Sequence, residues 1–325
     1  MMRLAHILLA GTLLTLPGTA IALEPEVQEA KDEGMRLWGQ HEWIKMQPYL
    51  EKAAEAGDVE AMYYLGEATR LLGRGLTEEA MDWYLQAAEQ GDPYAMLRLF
   101  QGGACVAGDE CPENAEGWRE KALAETLPKA EDGDTEAMLA LNYIYRALDE
   151  DGEAQDWLER AAEQGNPEAQ TRLGKYILDG QSWYFLESRR LKAAEEWFRK
   201  AAEQGYVPAM DRLSATLSNL ERYKDAWEWT VKSSEAGDLN GRRWLANCYL
   251  NPDEAPRCNT EKKPVVGWAI LYAINEEVGG PSSERSMRLR RDQVTDEQCE
   301  EAKSLAEEWQ NKQPPLSNFP PRFGF

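Results

Sequence analysis

Small and large apolar residues recur in this chain at fixed distances from seven glycines. These are Gly57, Gly91, Gly133, Gly165, Gly205, Gly237 and Gly279. After each of the first six, an alanine or glycine follows at the fourth position and a leucine at the eighth, as in Ala61 and Leu65. Four residues make about one helical turn, so the two positions lie on one helix face. The pattern predicts a helix, which we call helix A, after each of these six glycines.

A second predicted helix, helix B, ends at each glycine. Tryptophan stands eight residues before four of the glycines, and an alanine stands three residues before each tryptophan. The tryptophans are Trp83, Trp157, Trp197 and Trp229. Three units depart from this pattern, because Tyr49, Glu125 and Leu271 occupy the tryptophan position. We expect the packing of those three units to differ.

The glycines also predict how helix B connects to the next helix A. Glycine adopts a positive φ at little cost and is favoured just after a helix, whereas Asp and Asn are favoured as helix N-caps. The residue after five of the glycines is such a cap: Asp58, Asp92, Asp134, Asn166 and Asp238. The chain is therefore expected to pass from helix B into helix A with no intervening loop.

Successive glycines lie 32 to 42 residues apart, which is the length of a helical hairpin. One hairpin cannot bury its apolar face alone, whereas stacked hairpins form a continuous core. We predict an all-α fold, a right-handed α-solenoid over residues 23–280. Its seven hairpins lie near 25–57, 58–91, 92–133, 134–165, 166–205, 206–237 and 238–279.

The residues after the solenoid predict a separate C-terminal segment. A basic stretch that contains Arg285 and Arg291 is interpreted as a linker. Thr295 to Gln298 then form a plausible capping box that opens a last helix. We expect residues 281–312 to comprise this linker and a helix that caps the solenoid, and residues 313–325 to form a tail rich in proline and phenylalanine.

Residues 1–22 have the features of a secretory signal peptide. Arg3 precedes an apolar run from Leu4 to Leu16, and Ala20 to Ala22 offer a small-residue cleavage site. The run is too short to cross a bilayer as a helix. No cysteine follows the cleavage site, so no lipid anchor is expected. We expect export to the periplasm, a mature chain that starts near Leu23, and no membrane insertion.

Five cysteines in an exported chain are expected to pair where geometry allows. Cys105 and Cys111 lie six residues apart in a glycine-rich loop, and Cys248 and Cys258 lie ten apart across another loop. Local pairing within each loop is the simplest scheme, and it leaves Cys299 unpaired. A bridge from Cys258 to Cys299 remains an alternative.

The chain has 58 acidic and 36 basic residues, which gives a net charge of −22. Such a charge disfavours nucleic acid and anionic lipid as partners. A basic protein partner fits this field, although acidic side chains that merely face water also account for the composition. We expect another protein as the partner and a monomeric chain.

The sequence offers little for catalysis. His41 is the single histidine outside the signal peptide, and we expect it at the surface. No nucleophile elbow, phosphate-binding glycine loop or zinc-binding cysteine or histidine pattern occurs. We therefore predict that the chain is not an enzyme and that it has no catalytic residue, cofactor or metal site.

Longer loops are predicted inside three hairpins, between helix A and helix B, at 101–114, 180–191 and 251–265. The middle loop carries three consecutive aromatic residues and a pair of arginines: Trp183, Tyr184, Phe185, Arg189 and Arg190. Aromatic residues and arginine dominate binding hot spots, so these five are the predicted partner contacts. The alternative is that they fold back onto their own hairpin.

The segments "EAQDWLERAAEQGNPEAQTRLGKYILDG" and "KAAEEWFRKAAEQGYVPAMDRL" resemble Sel1-like repeats, which are relatives of the tetratricopeptide repeat. The resemblance covers about residues 25–280 and implies seven Sel1-like hairpins that bind a protein. Within the family, the chain resembles exported immunity proteins that neutralise lipase-type effectors of type VI secretion, which implies a toxic effector as partner. Two alternatives are a periplasmic scaffold for envelope or polysaccharide assembly and a penicillin-binding or β-lactamase-like enzyme.

Overall fold

The structure, a computed structural model, describes residues 23–101, 115–180 and 186–310. These residues form helices joined by short connections, with no strand among them. The A helices are α1 (Pro25–Gly39), α3 (Val59–Gly73), α5 (Pro93–Phe100), α7 (Thr135–Ala147), α9 (Pro167–Leu178), α11 (Val207–Asn219) and α13 (Leu239–Leu250). The B helices are α2 (Trp43–Glu55), α4 (Glu78–Glu89), α6 (Ala115–Glu131), α8 (Asp151–Glu163), α10 (Glu187–Glu203), α12 (Tyr223–Glu235) and α14 (Pro264–Val278). The predicted all-α solenoid of seven hairpins is confirmed.

Two further helices follow the seventh hairpin, α15 (Gly280–Arg290) and α16 (Asp296–Gln310). The basic stretch interpreted as a linker is thus helical, and it has a proline in its first turn, where a missing N–H costs little. The capping box forms as expected. The N–H of Gln298 donates to Thr295 Oγ1 at 3.2 Å, and the N–H of Thr295 donates to Gln298 Oε1 at 3.0 Å. Helix α16 packs on α14 and covers the end of the solenoid.

The junction from helix B to helix A has the same form throughout the solenoid. Each of the seven glycines has a positive φ, between 65° and 99°. At the first junction, the N–H of Gly57 donates to the Ala54 carbonyl, and the N–H of Asp58 donates to the Ala53 carbonyl. Asp58 Oδ1 then accepts from the N–H of Ala61 at 2.8 Å. All five predicted N-caps make such bonds, so the same residue closes one helix and opens the next.

The solenoid buries one apolar cluster from Leu37 to Trp229 and a second from Leu245 to Ala306. Every predicted small residue and every predicted leucine of the A helices is buried. The second cluster includes residues of α13, α14 and α16, so the capping helix is part of the core. The burial of these helices follows from the sequence pattern, because apolar residues lie on both sides of the small residue on each A helix.

Two glycines inside A helices allow close contact with the paired B helix. A Cβ on Gly66 would lie 2.7 Å from the ring of Tyr84, and a Cβ on Gly174 would lie 2.7 Å from the ring of Phe198. Both rings are fully buried. The two glycines occupy the same repeat position, nine residues after Gly57 and Gly165. At this position, the aromatic ring from helix B fills the space that a side chain on helix A would occupy.

The repeated tryptophans pack at the surface of the core. Trp157 and Trp229 are buried, and each ring is covered by a cation three residues later on the same helix. The Arg160 guanidinium lies 4.6 Å from the centroid of Trp157, and Lys232 Nζ lies 4.3 Å from that of Trp229. Cations stack favourably on indole faces, so these pairs shield the apolar rings from water.

The units without tryptophan pack differently from one another. Leu271 is buried and belongs to the second core cluster, whereas Tyr49 is 40% exposed. The predicted loops are also shorter than expected. Helix α10 begins at Glu187, inside the range 180–191. A 3₁₀ turn, Pro252–Glu254, and the start of α14 at Pro264 shorten the loop at 251–265.

Candidate protein-binding surface

Aromatic rings from successive A helices lie side by side on one surface. The ring centroids of Tyr63 and Tyr94 are 6.3 Å apart, and those of Tyr94 and Tyr143 are 5.7 Å apart. Helix α5 also contacts α7, and α9 contacts α11. We call the surface that carries these three tyrosines the A face. Side chains on the A face contact side chains of the neighbouring repeat, and these contacts stabilise the packing between repeats.

A buried ionic cluster joins the A helices of the second and third hairpins. The Glu67 carboxylate accepts from Arg98 Nε at 2.5 Å, from Arg70 Nη2 at 3.0 Å and from the Tyr84 hydroxyl at 2.7 Å. Burial by itself raises the pKa of Glu67, but the two guanidinium groups and the hydroxyl outweigh it and hold the pKa below its usual value. Glu67 therefore stays ionised and fixes α3 to α5.

A groove of about 540 Å³ runs across the N-termini of α3, α5, α7 and α9. It lies at the junctions where helix B passes into helix A, and α6 contributes Thr126 and Lys129. Tyr94 and Tyr206 provide aromatic surface within it. A groove of this form spans four consecutive repeats, so an extended segment of another chain has room to lie in it.

The groove is lined by more acidic than basic side chains. Five carboxylates and one lysine, Lys129, line it, and one of the carboxylates, Glu60, is also paired with Lys31 at 2.9 Å; the five are Glu60, Asp92, Asp134, Glu136 and Glu168. Each helix N-terminus carries about half a positive charge, so the four termini offset about two of these carboxylates. The groove therefore remains negative and favours a positively charged group.

Hydrogen bonds between α7 and α9 fix two of these carboxylates. The Tyr143 hydroxyl donates to Glu168 Oε1 at 3.0 Å and accepts from Arg172 Nη1 at 2.6 Å. The amide of Asn166 donates to Glu136 Oε1 at 2.7 Å. Burial raises the pKa of Tyr143, so its hydroxyl keeps the proton that it donates. The carboxylates are thus held in place before any partner arrives.

Sequence reasoning missed this groove, although the sequence contains a signal for it. The residue three positions after the glycine lines the groove in four consecutive repeats; these residues are Glu60, Tyr94, Glu136 and Glu168. Because neighbouring repeats place equivalent residues side by side, an acidic or aromatic residue at this one offset predicts a common surface.

Of the five predicted contact residues, Trp183, Tyr184 and Phe185 lie outside the described residues. Arg189 is exposed near the start of α10. The Arg190 guanidinium approaches Gly180, where an added Cβ would lie 3.0 Å from Nη1. Arg190 therefore lies close to the backbone of its own hairpin. The role of these residues in binding remains a prediction.

The structure describes three of the five cysteines, Cys248, Cys258 and Cys299. Cys105 and Cys111 lie outside the described residues. Cys248 and Cys258 are joined in a disulfide with a Cα to Cα distance of 5.1 Å, which closes the loop between α13 and α14. Cys299 is a free, buried thiol on α16. The alternative bridge from Cys258 to Cys299 is therefore not formed.

Among the described residues, no group of three or more histidine, cysteine or acidic side chains is placed to hold a metal ion. His41 is exposed at the turn between α1 and α2, with a φ of 61°. No helix in the described ranges combines the length and apolar character needed to cross a bilayer.

The repeats match a known family in four segments, residues 49–58, 59–92, 137–166 and 167–206, against the model described as Sel1 repeat. Four segments of the chain are thus similar to Sel1 repeats. The Sel1 segments include helices α3, α7 and α9, which contribute to the groove. Residues 207–237 lie outside the matched segments, yet Gly237 makes the same junction. Sel1 repeats mediate protein binding.

Similar solved structures include the Sel1 repeat protein from Oxalobacter formigenes, at 20% identity over 81% of this chain and 99% of that chain, with a TM-score of 0.41. Protein c5321 of uropathogenic Escherichia coli, a protective antigen with an SLR fold, is 21% identical over 88% of this chain and 76% of that chain, with a TM-score of 0.37. Immunity protein PA5088 from Pseudomonas aeruginosa is 16% identical over 90% of this chain and 83% of that chain, with a TM-score of 0.39. At such identities the likeness concerns the fold alone. No curated protein matches the sequence significantly.

Proposed function

We propose that this Sel1-repeat chain is a periplasmic immunity protein that binds and neutralises a toxic secreted effector of the type VI lipase type. The observation that carries the proposal is the acidic groove across four consecutive repeats. An inhibitor needs a surface that is already in its binding shape, since ordering a flexible surface weakens binding. The buried contacts of the A face and the capped helix junctions supply that rigidity.

The charge of the groove favours a basic segment of the effector. Arginine or lysine side chains would meet the carboxylates of Glu136 and Glu168, and the rings of Tyr94 and Tyr206 can stack on a cation. The net charge of −22 adds a long-range attraction for a basic protein. We therefore expect the effector to present a basic segment to the groove.

Export is part of the proposal. The signal-like residues 1–22 support it, and the disulfide between Cys248 and Cys258 is of a kind that persists in oxidising compartments. Expressed with its own N-terminus in a Gram-negative host, the chain should be recovered from the periplasmic fraction. N-terminal sequencing should start near Leu23. Recovery of the uncleaved chain from the cytoplasm would contradict export.

The direct test is coexpression with a basic toxin encoded beside this chain. The toxin should copurify with the chain at a fixed stoichiometry, and its lipase activity should fall as the chain is added. If the toxin neither copurifies nor loses activity, the immunity function must be abandoned.

A charge reversal tests whether the toxin binds in the groove. Glu136→Lys places a cation among the groove carboxylates and should weaken toxin binding by about tenfold or more, because like charges then face each other. Glu196→Lys makes the same change of charge at an exposed site on α10, outside the groove. Calorimetry should show near-native affinity for this control. Equal affinity of both variants would place the toxin elsewhere.

A further inference from the structure

An arginine and a tryptophan form a stacked pair at the C-terminal end of the A face. The guanidinium carbon of Arg257 lies 3.3 Å from the ring centroid of Trp244. Arg257 is only 8% exposed, while Trp244 keeps 39% of its surface exposed to solvent. Trp244 stands seven residues after its repeat glycine, the same position that Arg98 and Arg172 occupy in earlier repeats.

Arg257 forms no ion pair within the described residues, unlike Arg242, which is also buried, and Arg98, which is half-buried. Arg98 binds Glu67, and Arg242 Nη1 lies 3.1 Å from Glu277 Oε2. The acid that acts electrostatically on Arg257 is Asp211, which forms no ion pair with it, and burial lowers the pKa of the guanidinium. Burial of a charge without a full partner is costly, so this guanidinium is poised to bind an external anion.

The loop that carries Arg257 is fixed on both sides. Cys258, the next residue, is bonded to Cys248 on α13. On the other side, the carboxylate of Glu254 is paired with Arg290 on α15, with one contact at 2.8 Å. The guanidinium is therefore held in one position, and a partner that binds it has little ordering cost to overcome.

We propose that Arg257 and Trp244 form an anchor that receives a carboxylate of the protein partner. This inference rests on the proposed function and names a second contact chemistry for the same partner. The indole covers one face of the guanidinium, and the two parallel N–H donors of a guanidinium match the two oxygens of a carboxylate. Tryptophan and arginine are also the residue types that most often dominate binding interfaces.

The carboxylate can come from an Asp or Glu side chain or from the C-terminus of the partner. Three short blocked peptides separate these sources: one with an internal glutamate and an amidated end, one of glycines with a free C-terminal carboxylate, and one with glutamine and an amidated end. Each is titrated into the intact protein at low ionic strength, and the indole N–H resonance of Trp244 is followed by NMR. The resonance is assigned by its loss in Trp244→Phe.

At least one carboxylate peptide should shift the Trp244 resonance in a saturable way, and the glutamine peptide should not. The peptide that shifts it identifies the source. Arg257→Gln should weaken this binding by about tenfold or more, since it removes charge-assisted hydrogen bonds. Arg257→Lys keeps a cation in the loop and serves if the glutamine variant unfolds; it should bind more weakly than the wild type because an ammonium lacks the planar fork.

Lys200→Ala is the matched control. Lys200 Nζ lies 4.0 Å from the ring centroid of Trp197, so it forms a similar stacked pair, but on a B helix away from the A face. Its titration should match that of the wild type. The anchor is refuted if neither carboxylate peptide shifts Trp244, if the glutamine peptide shifts it equally, or if both Arg257 variants bind as the wild type does.

The partner itself gives a separate readout. Trp244→Ala and Arg257→Gln should each weaken toxin binding by about 30-fold or more, as expected for interface hot spots, while Lys200→Ala stays near the native affinity. Unchanged toxin binding by both anchor variants would overturn the anchor and leave the immunity function standing. Absence of any toxin binding, together with a positive peptide titration, would remove the immunity function and keep the carboxylate site.

Discussion

Glu67 is only 4% exposed, and its carboxylate accepts from donors on three helices, Arg70 of α3, Tyr84 of α4 and Arg98 of α5. A buried charge of this kind is stable only while its partners remain. Removal of the carboxylate leaves Arg98 without the group that offsets its burial. At the scale of single residues, this cluster is where one substitution should affect stability most.

Glu67→Gln should lower the free energy of unfolding by about 3–5 kcal/mol, the usual cost of breaking a buried ion pair. Glu300→Gln removes a carboxylate that pairs with Lys303 at an exposed site, and such pairs contribute about 0–1 kcal/mol. Urea unfolding followed by circular dichroism compares the two. A loss below about 1 kcal/mol for Glu67→Gln would show that the cluster is not a structural lock.

Asp238, the N-cap of α13, gives stability a pH dependence. Burial raises the pKa of its carboxyl to about 6 from an ordinary value of 3.8, and repulsion from Asp211 adds to this effect although the Gly241 N–H opposes it. The folded state therefore favours the protonated form. The contribution of this group to the free energy of unfolding is fully present below pH 3.8. It is lost as the pH rises through 6, and the loss amounts to up to about 3 kcal/mol.

Asp238→Asn keeps the capping oxygen and removes the charge. The variant should be more stable than the wild type at pH 7.5, and the difference should shrink toward zero as the pH falls to 4. Asp134→Asn makes the same change at the exposed cap of α7 and serves as control. Thermal unfolding across this pH range measures both. If the difference in stability between Asp238→Asn and the wild type did not change with pH, the raised pKa of Asp238 would be contradicted.

At the scale of helices, the glycines on the inner side of A helices fix how closely each hairpin packs. Gly174 faces the ring of Phe198, which is fully buried. Gly152, in the first turn of α8, has no neighbour within 4 Å of the position where a Cβ would lie. The two glycines therefore have different roles, although both lie in helices.

Substitution by alanine should act in opposite directions at these two glycines. Gly174→Ala should destabilise the protein by about 1–3 kcal/mol, because an added methyl group in a packed core forces neighbours to shift. Gly152→Ala should stabilise it by up to about 1 kcal/mol, because alanine favours the helix. The midpoints of chemical unfolding give both values. Stabilisation by Gly174→Ala would mean that the ring of Phe198 can move.

The hairpins could be predicted from the sequence because their turns are set by local chemistry. A glycine such as Gly91, followed by a cap such as Asp92, determines its own backbone geometry wherever it stands. Helix α15 could not be predicted so easily. Its glycine, proline and arginines are typical of a linker, and its helical form is visible only once α15 packs against α14.

The candidate site was much less predictable than the fold. The groove combines residues from four repeats, and its existence depends on the relative placement of helices more than 30 residues apart in sequence, such as α3 and α7. The stacked pair likewise joins Trp244 in a helix with Arg257 in a loop. Sequence reasoning instead selected a run of aromatic residues at 183–185, since a local cluster is the only kind that a single segment shows.

At the scale of the whole molecule, the net charge of −22 acts on a partner before contact. Long-range attraction raises association rates and is screened by salt, whereas short contacts in the complex are screened less. The rate of association with a basic toxin should therefore fall about tenfold or more between low and physiological ionic strength, with little change in the dissociation rate. Stopped-flow measurements test this. An association rate independent of salt would mean that the charge serves solubility alone.

The junction at each repeat glycine has a consequence for redesign. Since Gly57 ends one helix and Asp58 already caps the next, an extra residue there would break both sets of hydrogen bonds. Chain length can change only at the opposite edge, between helix A and helix B, where hairpin lengths differ by up to ten residues. A foreign peptide grafted at that edge, for example at the turn near His41, should leave the structure of the opposite edge, which bears the groove, unchanged.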